Sequence, residues 1–407
     1  MKRTDRIIVP GCPHSLSRRE FLKVAAAAAV ALPAFSHALA APAAEARPRN
    51  RAGARVAIVP CRTYGHPEVR AAMKQAFDLL GGIGPLVAHK TVTVKINMTG
   101  TDFSSVQGHT VGETYMTHYA TALALGSILF DAGAKRVRFV ESANNREDLE
   151  PLLGQAGWNT ASLAALGQVE FENTRNMGSG KKYAELKVPG GGLMFSSFQV
   201  NHWYDETDVL VSLCKLKQHF SAGVTLSMKN VFGMTPNALY GDEAGSEDAI
   251  AGRGPFHSPE YRNGPNAARI VLPGYKLSKD NEPDDQGIRI PRIVTDCCGA
   301  RPIHLAIIDG ITTVSGGEGR WFDAMKFIQP GVLIAGLNPV SSDAVGTAVM
   351  GFADPRAPRG SEPFGNCENH LLLAEQTGLG TADLREIEVC GLPIAKARCP
   401  FPALGLK

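Results

Sequence analysis

The stretch GETYMTHYATALALGSILFDAGAKRVRFV, residues 112–140, changes character near its end. Residues 112–134 read as one long helix, and RVRFV (136–140) as the strand it leads into. Upstream, RVAIVP (55–60) and TVTVKI (91–96) read as strands with the helix PEVRAAMKQAFDLLGG between them, ended by Gly81-Gly82 as a C-cap. Strands separated by helices of this length imply βαβ units. The expected class is α/β, a mainly parallel sheet flanked by helices.

The pattern weakens in the middle of the chain and then returns. PGGGLMF (189–195) suggests a hairpin or sheet edge, and TDVLVSL (207–213) a buried strand. Residues 234–290 are rich in Gly, Pro, Asp and Asn, with one helix-like piece, PNAARIVL, and are expected to form an irregular, loop-rich insertion. IPRIVTDCCG then reads as a helix, and IHLAIIDG (303–310) and GVLIAG (331–336) as strands. PVSSDAVGTAVMG follows as a helix capped by Asn338 with Pro339 in its first turn. NCENHLLLAEQTGL is a further helix and REIEVCG a last strand. The α/β region is therefore placed at 55–395, with 55–200 and 201–395 as possible halves.

The N-terminus carries a different message. Arg18 and Arg19 directly precede an alanine-rich apolar run that ends in the small-x-small pattern Ala38-Leu39-Ala40. This is the anatomy of a twin-arginine signal peptide over residues 1–40, with cleavage near Ala40, and it places the mature protein in the periplasm. The run is shorter than the ~20 residues of a membrane span, and no other segment qualifies. Residues 41–54 read as a Pro/Ala/Arg linker.

Removing the signal also changes the charge balance. The chain has 42 basic and 39 acidic side chains, and six of the former and two of the latter lie before residue 41. The remainder is near neutral, so no global field points to nucleic acid or an anionic membrane. Cysteines are scattered without a C-x-x-C motif or an iron–sulfur ligand run, and no nucleotide-binding fingerprint is present. The adjacent Cys297 and Cys298 read as structural, as does His304 inside its strand.

In open parallel sheets, ligands sit beyond the C-terminal ends of strands. Polar residues stand at those ends: Lys95 and Asn97, then Glu141, Ser142, Asn144 and Asn145. Lys215, Lys217 and His219 follow the strand TDVLVSL, and Asp309 precedes the loop SGGEG that carries Glu318. Lys-x-Lys at 215 and 217 shares one face if extended, though a solvated strand end would look the same. His118 is either a core histidine or faces the Lys95–Asn97 strand end. Glu318 is a ligand, a base or a turn residue. Lys229 stands in GVTLSMKNVFG, where it either snorkels outward or meets an anion.

LVSLCKLKQHFSAGVTLSMKNVFG resembles the core motif of the "domain of unknown function 362" family, roughly K-[LM]-K-x-H…G-[VI]-T-x-x-[LM]-K-N-x-[FMY]-G. Further stretches fit in order: Lys95-x-Asn97, Thr117-His118, Asp309-Gly310 with Glu318-Gly319, and NPVSSDAVG. The likeness runs from about 55 to 395. Ile96, Gln218 and Asn338 depart from its usual Pro, Thr/Ser and Asp, and the cysteine module of many relatives is missing. The resemblance implies an α/β fold and no established reaction.

Three functions remain open at this point. The first is an exported enzyme for a small anion, carboxylate or phosphate. Lys95, Lys215, Lys217 and Lys229 would hold it, assisted by Asn97, Asn230, Glu318 and the N-terminus of a helix starting near Ala222. His219 or His118 would shuttle a proton, oriented by Asp309 or Glu141. On this reading the amines of Lys95, Lys215 and Lys217 face one cleft with His219 and Asp309. The second is a metal- or cofactor-binding accessory protein using His118, His219, Asp309 and Glu318. The third is a periplasmic solute-binding module without catalysis.

Overall fold

The structure, a computed structural model, describes residues 54–263 and 271–404. The expected signal peptide, residues 41–53 of the expected linker and the PNAARIVL piece up to Ile270 lie outside the described residues. In chain order the main elements are β1 (Arg55–Pro60), α1 (His66–Leu79), β2 (Thr91–Lys95), α2 (Tyr119–Asp131), β3 (Arg136–Glu141), β4 (Val169–Asn173) and β5 (Val209–Lys215). They continue with α3 (Ser227–Asn230), α4 (Gln286–Ala300), β6 (Leu305–Gly310), β7 (Val332–Gly336), α5 (Pro339–Val349), α6 (His370–Gln376) and β8 (Glu388–Gly391).

The eight strands form one sheet in the order β8-β1-β7-β6-β5-β2-β3-β4. Every strand runs the same way except β7, which is antiparallel to both β1 and β6. The mainly parallel α/β architecture expected from the sequence is thus the one observed. Strands from both possible halves share the single sheet. Its central strands are apolar on both faces because both faces are covered, as parallel sheets require. Val92, Val94, Val209, Val211 and Leu213 pack with Val69, Met73 and Phe77 of α1 and with Leu125 and Leu129 of α2. On the other face, Ile58, Ile308 and Ile334 pack with Val345 and Val349 of α5.

The helix expected over 112–134 is two helices. A single turn, Val111–Thr114, is fixed by a capping box between Thr110 and Glu113. The chain then leaves the helix, and α2 begins at Tyr119 with His118 as its N-cap. Thr117 explains the break. Its N–H donates to Asn97 O (2.8 Å), its Oγ1 accepts from Asn97 N (2.7 Å) and it donates to Leu213 O (3.0 Å). Bonds to the ends of β2 and β5 replace the helical ladder there.

The PGGGLMF stretch lies between the paired strands Tyr183–Lys187 and Ser197–Asn201, and so turns a hairpin. Cys297 and Cys298 are buried free thiols within α4. His304 accepts from Leu210 N at 3.1 Å. Among the described residues, no helix is long and apolar enough to cross a membrane.

Candidate functional site

β2 and β5 are neighbours in space but not in sequence. From β2 the chain works outward through β3 to β4, and from β5 it works the opposite way through β6 and β7. A crevice opens beyond the C-terminal ends of strands at such a switch point. Here it is a cleft of about 170 Å³, reached by Lys95, Glu141, Lys217, Lys229, Arg253 and Glu318.

The floor is a closed ion pair. Lys95 Nζ lies 2.6 Å from Glu141 Oε1, with both side chains almost fully buried, and also donates to Ile96 O at 2.6 Å. Glu141 further accepts from Met98 N (2.7 Å) and Ser142 N (2.9 Å). Asn230 spans the two strand ends, its Nδ2 donating to Lys95 O and Ser212 Oγ, each at 3.0 Å. Gly233 ends the KNVFG run because a Cβ there would approach Glu141 Oε1 to 2.9 Å and Lys95 Nζ to 3.0 Å. Lys95, Glu141 and Asn230 are therefore engaged with one another, whatever else enters the cleft.

The walls hold looser charge. Lys217 Nζ donates to Tyr115 O (2.9 Å), Glu318 O (3.1 Å) and Thr99 Oγ1 (3.3 Å), all uncharged acceptors. Burial outweighs the nearby Glu318 carboxylate and brings its pKa down to about 7. Lys229 is half-buried, with Nζ 4.1 Å from the centre of the Phe232 ring, a cation–π contact. It makes no hydrogen bond or ion pair among the described residues, and burial lowers its pKa to about 8. Arg253 enters from the irregular 234–290 segment. Its Nε donates to Thr235 O (2.9 Å) and its Nη2 to Ser142 Oγ (2.7 Å), which leaves Nη1 unused among the described residues. Glu318 accepts from Phe220 N at 3.0 Å, and burial raises its pKa. His219 lines the cleft as a neutral imidazole, because burial and the two lysines hold its pKa well below the ordinary value.

Three residues expected in the cleft lie elsewhere. Lys215, Asp309 and His118 gather around Tyr64. Lys215 Nζ donates to Tyr64 Oη (2.6 Å) and Asp309 Oδ2 (3.2 Å), and His118 stacks on the Tyr64 ring at 3.5 Å. Strand register explains the split. Lys95 pairs with Ser212, three residues before Lys215, and residues an odd number apart on one strand face opposite sides. His118 is further committed as an N-cap, accepting from Ala120 N, and burial holds its pKa down at about 3. His118 and Asp309 are thus separated from His219 and Glu318. Among the described residues, no group of three or more His, Cys, Asp or Glu is arranged to hold a metal.

The helix expected to begin near Ala222 is shorter. Gly223–Thr225 pairs as a strand with Lys217–His219, and α3 starts only at Ser227. Its first N–H groups are already taken, since Asp343 accepts from Ser227 N (2.8 Å), Ser227 Oγ (2.5 Å) and Met228 N (2.8 Å). That accounts for Asp343 of NPVSSDAVG: it caps the turn that presents Lys229. The departing residues are structural as well. Gln218 ties Gly316 to Pro402, and Asn338 caps α5.

Arg253, Thr225 and Tyr64 were not singled out from the sequence. Arg253 had one legible sign, a lone cation in the glycine-rich AGRGP.

No curated protein matches the chain. The family model described as "Domain of unknown function (DUF362)" matches residues 92–348, well over half of the chain and every cleft residue named above. The match takes in the run from Lys95 through the Lys217–Gly233 segment to Asp343, and the chain belongs to the domain of unknown function 362 family.

Proposed function

We propose that the cleft binds a small anion, a carboxylate or phosphate, and moves a proton on it. The observation that carries this reading is the unspent donor capacity of Lys229 and of Arg253 Nη1, two cations facing one polar cavity with no carboxylate hydrogen-bonded to either among the described residues. Drawing a cation partly out of water without an ion-pair partner is costly, and a bound anion offsets that cost. Lys217 adds charge rather than donors, since its three N–H groups are already used. Proton transfer is supported by Glu318 and Lys217, whose pKa values burial pushes toward neutrality from opposite sides. His219, held neutral, accepts from Ser221 N through Nδ1 (3.2 Å), so its Nε2–H is a further donor beside them.

The test is proton linkage. Lys217 and Lys229 titrate near 7 and 8 in the empty protein, below the 10.5 of a free lysine. The unfolded chain therefore holds more protons between pH 7 and 10.5, and on account of these two groups the empty protein gains stability as pH rises through that window. A bound anion raises both values, so binding at pH 8 should take up protons, and its affinity should be greatest below pH 7 and fade above it. Thermal shifts with phosphate and small carboxylates, then calorimetry in buffers of differing ionisation heat, check both. Binding without proton uptake, or no binding by either anion class, would overturn the reading.

We also propose that the protein works in the periplasm, on the strength of Arg18-Arg19 and the Ala38-Leu39-Ala40 pattern. Changing both arginines to lysine should leave the precursor unprocessed in the cytoplasm. Cleaved product in the periplasm would refute this.

A further inference from the structure

Two polar atoms in the wall of the cleft have no partner. Asn97 Oδ1 belongs to a side chain 9% exposed at the end of β2, and Thr225 Oγ1 to one 3% exposed. Both residues line the cavity. The main chain of Asn97 is fully used in its exchange with Thr117, so its side chain is not what secures the strand end. Its Nδ2 makes no hydrogen bond among the described residues, and the orphaned buried atom is the acceptor oxygen. Buried polar atoms are nearly always satisfied in folded proteins, and each exception calls for an account.

The type of atom narrows what is missing. An amide oxygen only accepts, and so does an ionised carboxylate such as Glu318. The charged oxygens of an anion also accept, which suits Lys229 and Arg253 and does nothing for Asn97. We infer, building on the anion reading above, that the cleft takes a hydroxylated anion: a small carboxylate or phosphate that also carries an alcohol, with the O–H donated to Asn97 Oδ1 and its oxygen within the reach of Thr225. The anionic head lies at Lys229 and Arg253. A cavity of about 170 Å³ accommodates an anion of a few carbons.

The inference is tested by anion pairs that differ in one hydroxyl, titrated into the whole protein by calorimetry: 2-hydroxypropyl phosphate against propyl phosphate, and malate against succinate. The hydroxylated member of one pair should bind tighter by about tenfold or more, because a site built for a hydroxyl leaves its own polar groups unpaired with the deoxy analogue. Which pair responds identifies the head group. In Asn97→Leu the preference should collapse, with the deoxy member bound within about twofold of wild type, as expected for a group that touches only the hydroxyl. Equal affinities within both pairs would overturn the hydroxyl inference and leave anion binding standing. Failure of all four probes would overturn both. A preference that survives in Asn97→Leu would remove Asn97 from the account, and the wild-type comparison holds even if that variant does not fold.

Discussion

Lys229→Met is expected to abolish most of the stabilisation that phosphate or a small carboxylate gives the protein, with affinity falling about 10- to 100-fold, the usual worth of a hydrogen bond to a charged group. The empty protein should be as stable as wild type or more so. Lys229 makes no ion pair among the described residues, so its removal breaks none, and Glu318, which loses one nearby positive charge, keeps that of Lys217. The change also relieves repulsion from Arg253, Lys95 and Lys217. Methionine keeps an unbranched side chain, one atom shorter, that can pack on Phe232 through sulfur–aromatic contact. Lys95→Met is the contrast. It strands the buried Glu141 carboxylate and should cost about 3–5 kcal/mol, the range for breaking a buried pair from one side. Melting curves of both variants with and without anion separate the two kinds of lysine. An anion-induced shift that survives in Lys229→Met would reduce Lys229 to a side chain resting on an aromatic ring.

These two lysines also mark how far the sequence could be read. Both stand in strand- or motif-terminal positions, and the polar residues after TVTV, RVRFV and VLVSL do lie at one edge of a mainly parallel sheet. That much follows from local periodicity. Which face each side chain takes does not, because it depends on how separate strands align. Lys95 belongs with Ser212 rather than Lys215 only because of the β2–β5 register, and a shift by one residue would reverse this. Local competition hid the break at residues 115–118, where Thr117 bonds to strands remote in sequence. The same bend presents the Tyr115 carbonyl to Lys217. Arg253 was out of reach for a third reason. Its loop has no periodicity, so nothing along the chain indicates that it folds back on Ser142 and Thr235.

The cluster around Tyr64 should respond in the opposite sense to Lys229. Asp309 and Lys215 are both 0% exposed and joined at 3.2 Å, and Asp309 Oδ1 accepts from Tyr64 Oη and from Ile311 N, each at 3.0 Å. Burial acts against both charges, raising the pKa of Asp309 and lowering that of Lys215, while each partner opposes the shift of the other. Asp309→Ala therefore leaves a buried ammonium with Tyr64 alone and is expected to cost about 3–5 kcal/mol at pH 7. The sign of its pH dependence separates charge from packing. Without Asp309 the folded-state pKa of Lys215 falls further below 10.5, so the unfolded chain binds the extra proton and stability recovers as pH rises. The deficit relative to wild type should shrink between pH 7 and pH 9.5, whereas a simple cavity would give the same deficit at both. Pairing Asp309→Leu with Lys215→Met removes both charges, and such a swap for apolar residues commonly returns most of the loss. Urea midpoints for the single and double variants at the two pH values decide the matter. A deficit that is independent of pH and persists in the double variant would show that Asp309 contributes shape and hydrogen bonds rather than a counter-charge.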